Sequence, residues 1–328
     1  AHASEPNLAD WLDLVALGTV ADVVRLDHNN RVLVEQGLRR IRAGRARPGL
    51  LALLEAAGRT PASINATDLG FVLGPRLNAA GRLDDMGIGI QCLLAPSLAV
   101  ARPLAATLDH LNRERRALTG QMSAEALDVV ADPATVGLCV FDAGWHEGVV
   151  GLIAARLKEA RHRPTIACAP AQESGVIKGS ARSIPGLHIR DAIAAVDAAH
   201  PGLLLRFGGH AMAAGLTLRR DDFARFAGAF DVACRQLLAP GALDPVIETD
   251  GMLPAELGAL ETVHLLEQAG PWGQGFPPPL FVAEMQVGMA RAMGSEQQHM
   301  RYQLLGDDGR KLEAVHFGGA EQALAAGR

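Results

Sequence analysis

Four short groups of residues in this sequence have the types and spacing to do phosphate chemistry. Asp13 stands inside the apolar run Leu12-Asp13-Leu14-Val15-Ala16-Leu17, where an unpaired charge would be costly. It therefore needs a metal ion, a cation or a helix N-terminus, and the run itself leaves all three open. Asp22, at the far end of the run, reads as structural. The second group, Gly74-Pro75-Arg76-Leu77-Asn78-Ala79-Ala80-Gly81-Arg82, puts two arginines and an asparagine on what reads as a glycine-flanked loop. Guanidinium forks match phosphate oxygens in pairs, and glycine lets a backbone approach closely. Surface arginines in an ordinary turn would look the same.

The third group, Gly179-Ser180-Ala181-Arg182-Ser183, follows an expected strand and precedes an expected helix. Hydroxyls around one arginine at a strand end suit a terminal phosphate. In the fourth, Phe207-Gly208-Gly209-His210-Ala211-Met212, a Gly-Gly turn presents His210, which could donate a proton or hydrogen bond to a phosphate oxygen. A satisfied structural histidine is the plainer alternative. Gly144-Trp145-His146-Glu147-Gly148 lies in a strand-to-helix loop, where His146 either meets a substrate or caps the helix. No zinc-ligand spacing, Walker loop or GxGxxG occurs.

These groups must be held by a scaffold, and the hydrophobic pattern describes one. Residues 8–42 are helical in pattern. A long helix over about 100–130 carries Leu104, Leu108, Leu111, Leu118, Met122 and Leu127 on one side and Arg113, Glu114, Arg115 and Arg116 on the other. From 135 to about 237 strands and helices alternate: strands at 136–141, 164–169, 175–183 and 213–218, helices at 149–160, 188–196 and 221–237. That order predicts a layered sheet. After Pro240, short strands at 246–250, 280–287, 300–305 and 311–317, with a turn at Asp307-Asp308-Gly309, predict a small β-barrel or sandwich. Trp272 and Phe276 are candidate stacking rings on it, although their Pro/Gly-rich setting favours a structural turn.

Composition narrows the partner. With 328 residues, 49 % hydrophobic and 20 % charged, the chain has an ordinary globular make-up of two or three domains. A net charge of −5 excludes a histone-like polycation, so any nucleic acid must sit in a local basic channel. Three lysines occur among 31 basic residues, the rest being arginine. No apolar run approaches the ~20 residues of a membrane span. The opening residues have no signal-peptide pattern and no Met, which suggests a start within a longer protein. Cys92, Cys139, Cys168 and Cys234 match no paired motif and read as buried thiols of a reducing cytoplasm.

Taken in order, LDLVALGTVADVV, PRLNAAGR, LNRERR, GWHEGVVGLIAARL, GSARS, FGGHAMAAG and PWGQGFP resemble the RecJ branch of the DHH phosphoesterases along essentially the whole chain. The resemblance implies an α/β multi-domain protein. Its expected parts are a remnant of the DHH catalytic domain (1–98), a connecting helix (99–131), a DHH-associated α/β domain (132–240) and an all-β OB-like barrel (241–328) whose last strands lie past Arg328. It implies 5′→3′ hydrolysis of single-stranded DNA in repair and recombination, with two Mn²⁺ or Mg²⁺ ions. Asp13 corresponds to a metal-ligand carboxylate and His210 to an active-site residue. Ser180, Arg182 and either Arg76 or Arg82 correspond to a 5′-phosphate clamp, with Asn78, Gly208 and Gly209 beside it. A single-strand-binding protein or a helicase is a further expected partner. The family's Asp-x-Asp and Asp-His-His motifs do not occur here, so this chain alone is expected to be inactive. Two other readings are a phosphoesterase for short oligonucleotides or cyclic dinucleotides, and a degenerate homologue that binds a single strand or a replication partner without cutting.

Overall fold

The computed structural model describes residues 7–129, 134–254, 257–306 and 309–324. They form two compact units. One runs to Val246 and takes in Gly270–Pro277; the other comprises Ile247–Ala269 and the chain from Pro278 onward.

The first unit begins with a helical layer. Helix α1 (Leu12–Ala21) and α2 (His28–Arg42) meet at Gly37, where a Cβ would lie 2.2 Å from the Leu12 carbonyl oxygen. The single helical pattern expected over 8–42 is thus two helices, broken where Val23 takes a φ of 56°. Next come α3 (Pro48–Ala56) and the one-turn α4 (Ala66–Asp68), which an Asn65/Asp68 capping box starts. A π-helical turn, Leu69–Leu73, then runs directly into α5 (Gly74–Leu83). The expected loop at 74–82 is therefore a helix. Pro75 lies in its first turn, where the missing N–H costs nothing. Helix α6 (Gly87–Leu93) leads to α7 (Leu98–Val129), the long helix read from the leucine spacing. Leu38, Ile41, Leu53, Leu69, Leu73 and Leu108 are among the residues that fill the core between these helices.

The second layer is β1 (Leu138–Phe141), α8 (Val150–Arg161), β2 (Thr165–Pro170), β3 (Val176–Arg182), α9 (Ile189–Ala199), β4 (Leu204–Gly209), β5 (Ala213–Arg219) and α10 (Phe223–Leu237). The sheet order is β1-β2-β3-β5-β4, with β1 and β2 parallel and the other pairs antiparallel. Helices α9 and α10 cover one face through Ile193, Val196, Phe226 and Phe230. Helix α8 packs on the other face, over β2 and β3, with Ile153 and Leu157 inward. Strand β4 replaces the Gly-Gly turn expected there: Gly208 and Gly209 pair with Gly215 and Ala214 of β5. The turn proper is His210–Met212.

The second unit has α11 (Leu260–Ala269) and an antiparallel sheet of β6 (Gln286–Met293), β7 (His299–Leu305) and β8 (Lys311–His316), packed on Val287, Met300 and Tyr302. The strand expected at 280–287 starts only at Gln286. The one expected at 246–250 does not form; that stretch touches 280–282 through a few hydrogen bonds, Asp250 N–H to Leu280 O at 2.7 Å among them. Val246 and Ile247 stay exposed, so no apolar face fixes a register there. Asp307 and Asp308 of the expected turn lie outside the described residues.

The segment Gly270–Pro277 joins the first unit. Leu26 N–H donates to Gln274 O at 2.7 Å, the Trp272 and Phe276 rings stack at 4.9 Å, and the Arg31 guanidinium lies 3.6 Å above Phe276. These two rings are engaged with each other and with the helical layer, not displayed on the β unit.

Candidate nucleic-acid interface

Asp13 lies in the first turn of α1 and is 1 % exposed. One carboxylate oxygen accepts the Leu14 N–H at 2.8 Å and the other the Arg47 N–H at 2.7 Å, with Arg47 Nε 3.5 Å from the first. The Arg47 guanidinium covers the Trp11 ring at 4.0 Å. Asp13 borders a cleft of about 480 Å³ with Trp11, Asp10, Arg40 and Arg47, and Asp10 is itself paired with Arg40 at 2.6 Å. Among the described residues no three His, Cys, Asp or Glu side chains gather as metal ligands. Asp13 and Asp10, each engaged by an arginine, do not by themselves fit a two-metal site.

The two arginines of α5 part company. Arg76 is buried, bonded through Nε and Nη2 to Asp109 of α7 at 3.0 and 2.9 Å and through Nη1 to Val72 O. Arg82, in the last turn, reaches the opposite layer, where Nη1 donates to Gly148 O at 3.1 Å. Asn78, one turn before Arg82, is exposed. Packing at this junction is tight: a Cβ on Gly148 would lie 2.1 Å from the Arg82 carbonyl oxygen.

Across the junction stand Ser180 and Arg182 of β3. Arg182 Nη1 donates to Ser180 Oγ at 3.0 Å and to Ala181 O at 2.8 Å. The N-terminus of α8, which no side chain caps, opens beside them: a Cβ on Gly151 would lie 3.0 Å from both Ser180 Oγ and Arg182 Nη2. Free N–H groups and the positive end of a helix dipole favour an anion at such a place. Burial, then the nearby Arg82 charge, pushes the Arg182 pKa down. Burial likewise lowers that of Arg115 on α7, helped by Arg82, Arg116 and Arg156. Among the described residues no carboxylate forms an ion pair with Arg82, Arg115, Arg156 or Arg182. Cations gathered without counter-charge are the electrostatic signature of an anion site.

The sheet extends this site sideways. Ser180, Gly215 and Gly208 occupy one row across β3, β5 and β4, and Lys178, Thr217 and Arg206 the next row on the same face. A Cβ on Gly208 would meet nothing within 4 Å. The row is a flat floor, bordered by Arg206 and by Lys178, which pairs with Glu147 at 2.9 Å. His210 is exposed at the end of this floor; its Nδ1 lies 3.4 Å from the Met212 N–H and its own N–H donates to Ala213 O at 2.8 Å. Gly209, at φ 152°, has no room for a side chain. His146 caps the turn before α8 by accepting the Gly148 N–H at 3.1 Å.

The structure thus brings Arg82, Ser180, Arg182, Gly208, Gly209 and His210 to one end of the sheet. Arg76 and Asp13 lie apart, each with its own partner. Sequence reasoning singled out neither Asn112 nor Arg156, nor Arg206; the signal within reach was Asn112 at an apolar phase of α7, next to the basic run Arg113–Arg116.

Family models match in two places: a DHHA1 domain over residues 133–236 and a RecJ OB domain over 249–328. The chain is 49 % identical over 320 residues to a protein of Dickeya dadantii described as single-stranded-DNA-specific exonuclease RecJ, covering 96 % of this chain and 55 % of that one. It is 49 % identical to the Escherichia coli protein of the same description, covering 95 % and 55 %. The crystal structure of Thermus thermophilus RecJ in complex with Mg²⁺ superposes with a TM-score of 0.81 at 32 % identity, over 98 % of this chain and 48 % of that chain. The chain spans about half the length of the relatives it matches.

Proposed function

The chain is a homologue of the RecJ single-stranded-DNA-specific exonucleases, and from that premise we propose that its first unit grips the 5′ end of a DNA single strand for metal-dependent hydrolysis in the 5′→3′ direction. The observation that carries this reading is the cluster of Arg82, Arg115, Arg156 and Arg182, unpaired with any described carboxylate, around Ser180 and the open N-terminus of α8. Ser180, Arg182 and Arg82 would receive the terminal phosphate. The glycine floor of Gly208 and Gly215 lets the strand's backbone lie against the sheet, and His210 stands where it can reach a phosphate oxygen. Arg76 would act at a distance, holding α5 to α7 through Asp109, and Asn78 would meet the strand from the exposed side of α5.

Mn²⁺ or Mg²⁺, the ions of the matched RecJ structures, would polarise the scissile phosphate and supply hydroxide. Asp13 is proposed as one carboxylate of that site; among the described residues no further set of ligands gathers with it. A domain division at 98/99, 131/132 and 240/241 belongs to the same proposal. So does a setting in the cytoplasm beside a single-strand-binding protein or helicase. Four free cysteines support that setting, with burial pushing the thiols of Cys168 and Cys234 up to about 12. No helix among the described residues is long and apolar enough to cross a membrane.

Binding in EDTA separates grip from cutting. A 5′-phosphorylated oligothymidylate is expected to bind more tightly than its 5′-hydroxyl counterpart and than a blunt duplex. Equal affinity for all three would overturn the proposal.

A further inference from the structure

We propose that α7, besides linking the two layers, seats a second phosphate of the bound strand through Asn112 and Arg115. This rests on the single-strand reading above. Asn112 is 1 % exposed; its Oδ1 accepts Arg115 Nη2 at 2.9 Å, while its Nδ2 donates to nothing. Arg115 Nε, equally hidden, has no partner either. Native proteins rarely leave a buried donor unmade, and two such donors within one helical turn ask for a common acceptor.

The surroundings specify what that acceptor is. Asn112, Arg115, Thr119 and Ser123 recur at three- and four-residue steps, so they form one polar stripe along α7. Thr119 and Ser123 are buried, and Arg156 of α8 reaches them: its Nη1 donates to Thr119 O and Ser123 Oγ, both at 3.2 Å. The carboxylate one turn before Asn112, Asp109, is taken by Arg76 and Arg113, and from Asn112 to Ser123 the stripe carries no acid. Burial and the charges of Arg82, Arg116 and Arg156 all disfavour the Arg115 cation, a strain that an oxyanion would relieve. Helix α8 joins this stripe to the Ser180–Arg182 seat: a Cβ on Gly151 would lie 3.0 Å from Ser180 Oγ and Arg182 Nη2, and Arg156, later on the same helix, bonds Thr119 and Ser123 of α7. The two seats are therefore bridged by one helix, as neighbouring phosphates on one strand require. The terminal phosphate goes to Arg182, and the internucleotide phosphate to Arg115 and Asn112.

The test is fluorescence anisotropy of labelled oligothymidylates with and without a 5′-phosphate, in EDTA, across a salt series. Arg115→Gln is expected to weaken both strands about tenfold and to flatten the log–log salt slope by about 0.7, the share of one phosphate contact on a single strand. Arg115→Lys should restore part of the affinity, and Arg182→Gln should act mainly on the phosphorylated strand. Wild-type affinity and slope for Arg115→Gln, at an unchanged melting temperature, would overturn the proposal. So would a loss confined to the phosphorylated strand, which would put Arg115 in the terminal seat. If the unmutated chain binds neither strand, the single-strand reading falls, and this inference with it.

Discussion

Each functional side chain here is set by what competes for it. Arg182 spends two hydrogen bonds of Nη1 on its own strand, which leaves Nη2 beside Gly151 at the N-terminus of α8. Replacing it with Gln should cost the phosphorylated strand about 2 kcal/mol of binding, the scale of a charge-assisted hydrogen bond, read as the ratio of dissociation constants. Asp13 is the reverse case, a buried carboxylate already answered by two N–H groups and Arg47. Asp13→Asn should lower stability by about 1–3 kcal/mol in urea titration, because the amide places a donor where the pocket offers donors. The sequence placed Ser180 and Arg182 on a strand and His210 in a turn, where the fold has them, since small residues around a lone cation are informative locally. It could not separate Arg76 from Arg82. The separation depends on Asp109, 33 residues from Arg76, and on Gly148, 66 residues from Arg82, and neither spacing carries a local signal.

Elements were legible where one periodicity prevailed. The leucine spacing of α7 and the alternation from β1 to α10 gave both layers, because half of each element is buried. Strand β4 was missed since Arg206, Gly208 and Gly209 have low strand propensity and one of its faces is bare; pairing with β5 overrides that. Helix α5 was read as a loop because Gly74, Pro75 and Gly81 are turn formers, yet the chain enters it already helical from Leu69–Leu73. Two predictions belong to this scale. Gly148→Ala drives a Cβ into the Arg82 carbonyl and should destabilise the α5–α8 junction by about 1–3 kcal/mol, with strand affinity falling in parallel. On α10, Asp231 anchors the start of β1 by accepting the Val136 and Gly137 N–H groups at 2.6 and 2.9 Å. Burial would raise its pKa, but the Gly137 N–H, Arg235 and the Val136 N–H outweigh that and hold it below the usual carboxylate range. A depressed folded-state pKa gives stability that is complete above the unfolded value of about 3.9 and fades as pH falls through the lower folded one. Thermal unfolding of Asp231→Asn should lose that part of the acid dependence.

For the whole molecule, a net charge of −5 coexists with a basic seam because the arginines of α5, α7, α8 and β3 converge while the acidic residues are dispersed. The two units differ greatly in core. Val287, Met300 and Tyr302 make up the buried cluster of the second, against the large clusters of the first. Two calorimetric transitions are therefore expected, the smaller unit melting first; a single coincident transition would show that the units depend on each other.

The return of Gly270–Pro277 to the first unit means that the polypeptide passes between the units at three points: after Val246, before Gly270 and after Pro277. The β unit is consequently not a cassette. Exchanging it between homologues at a breakpoint near 246 would carry off the residues that cover Leu26 and Arg31, leaving a mismatched patch on the recipient. A chimera that keeps the recipient's own 270–277 should express as soluble protein where the simple splice does not. In lineages that shuffle domains by recombination, that threading would tend to make the two units travel together.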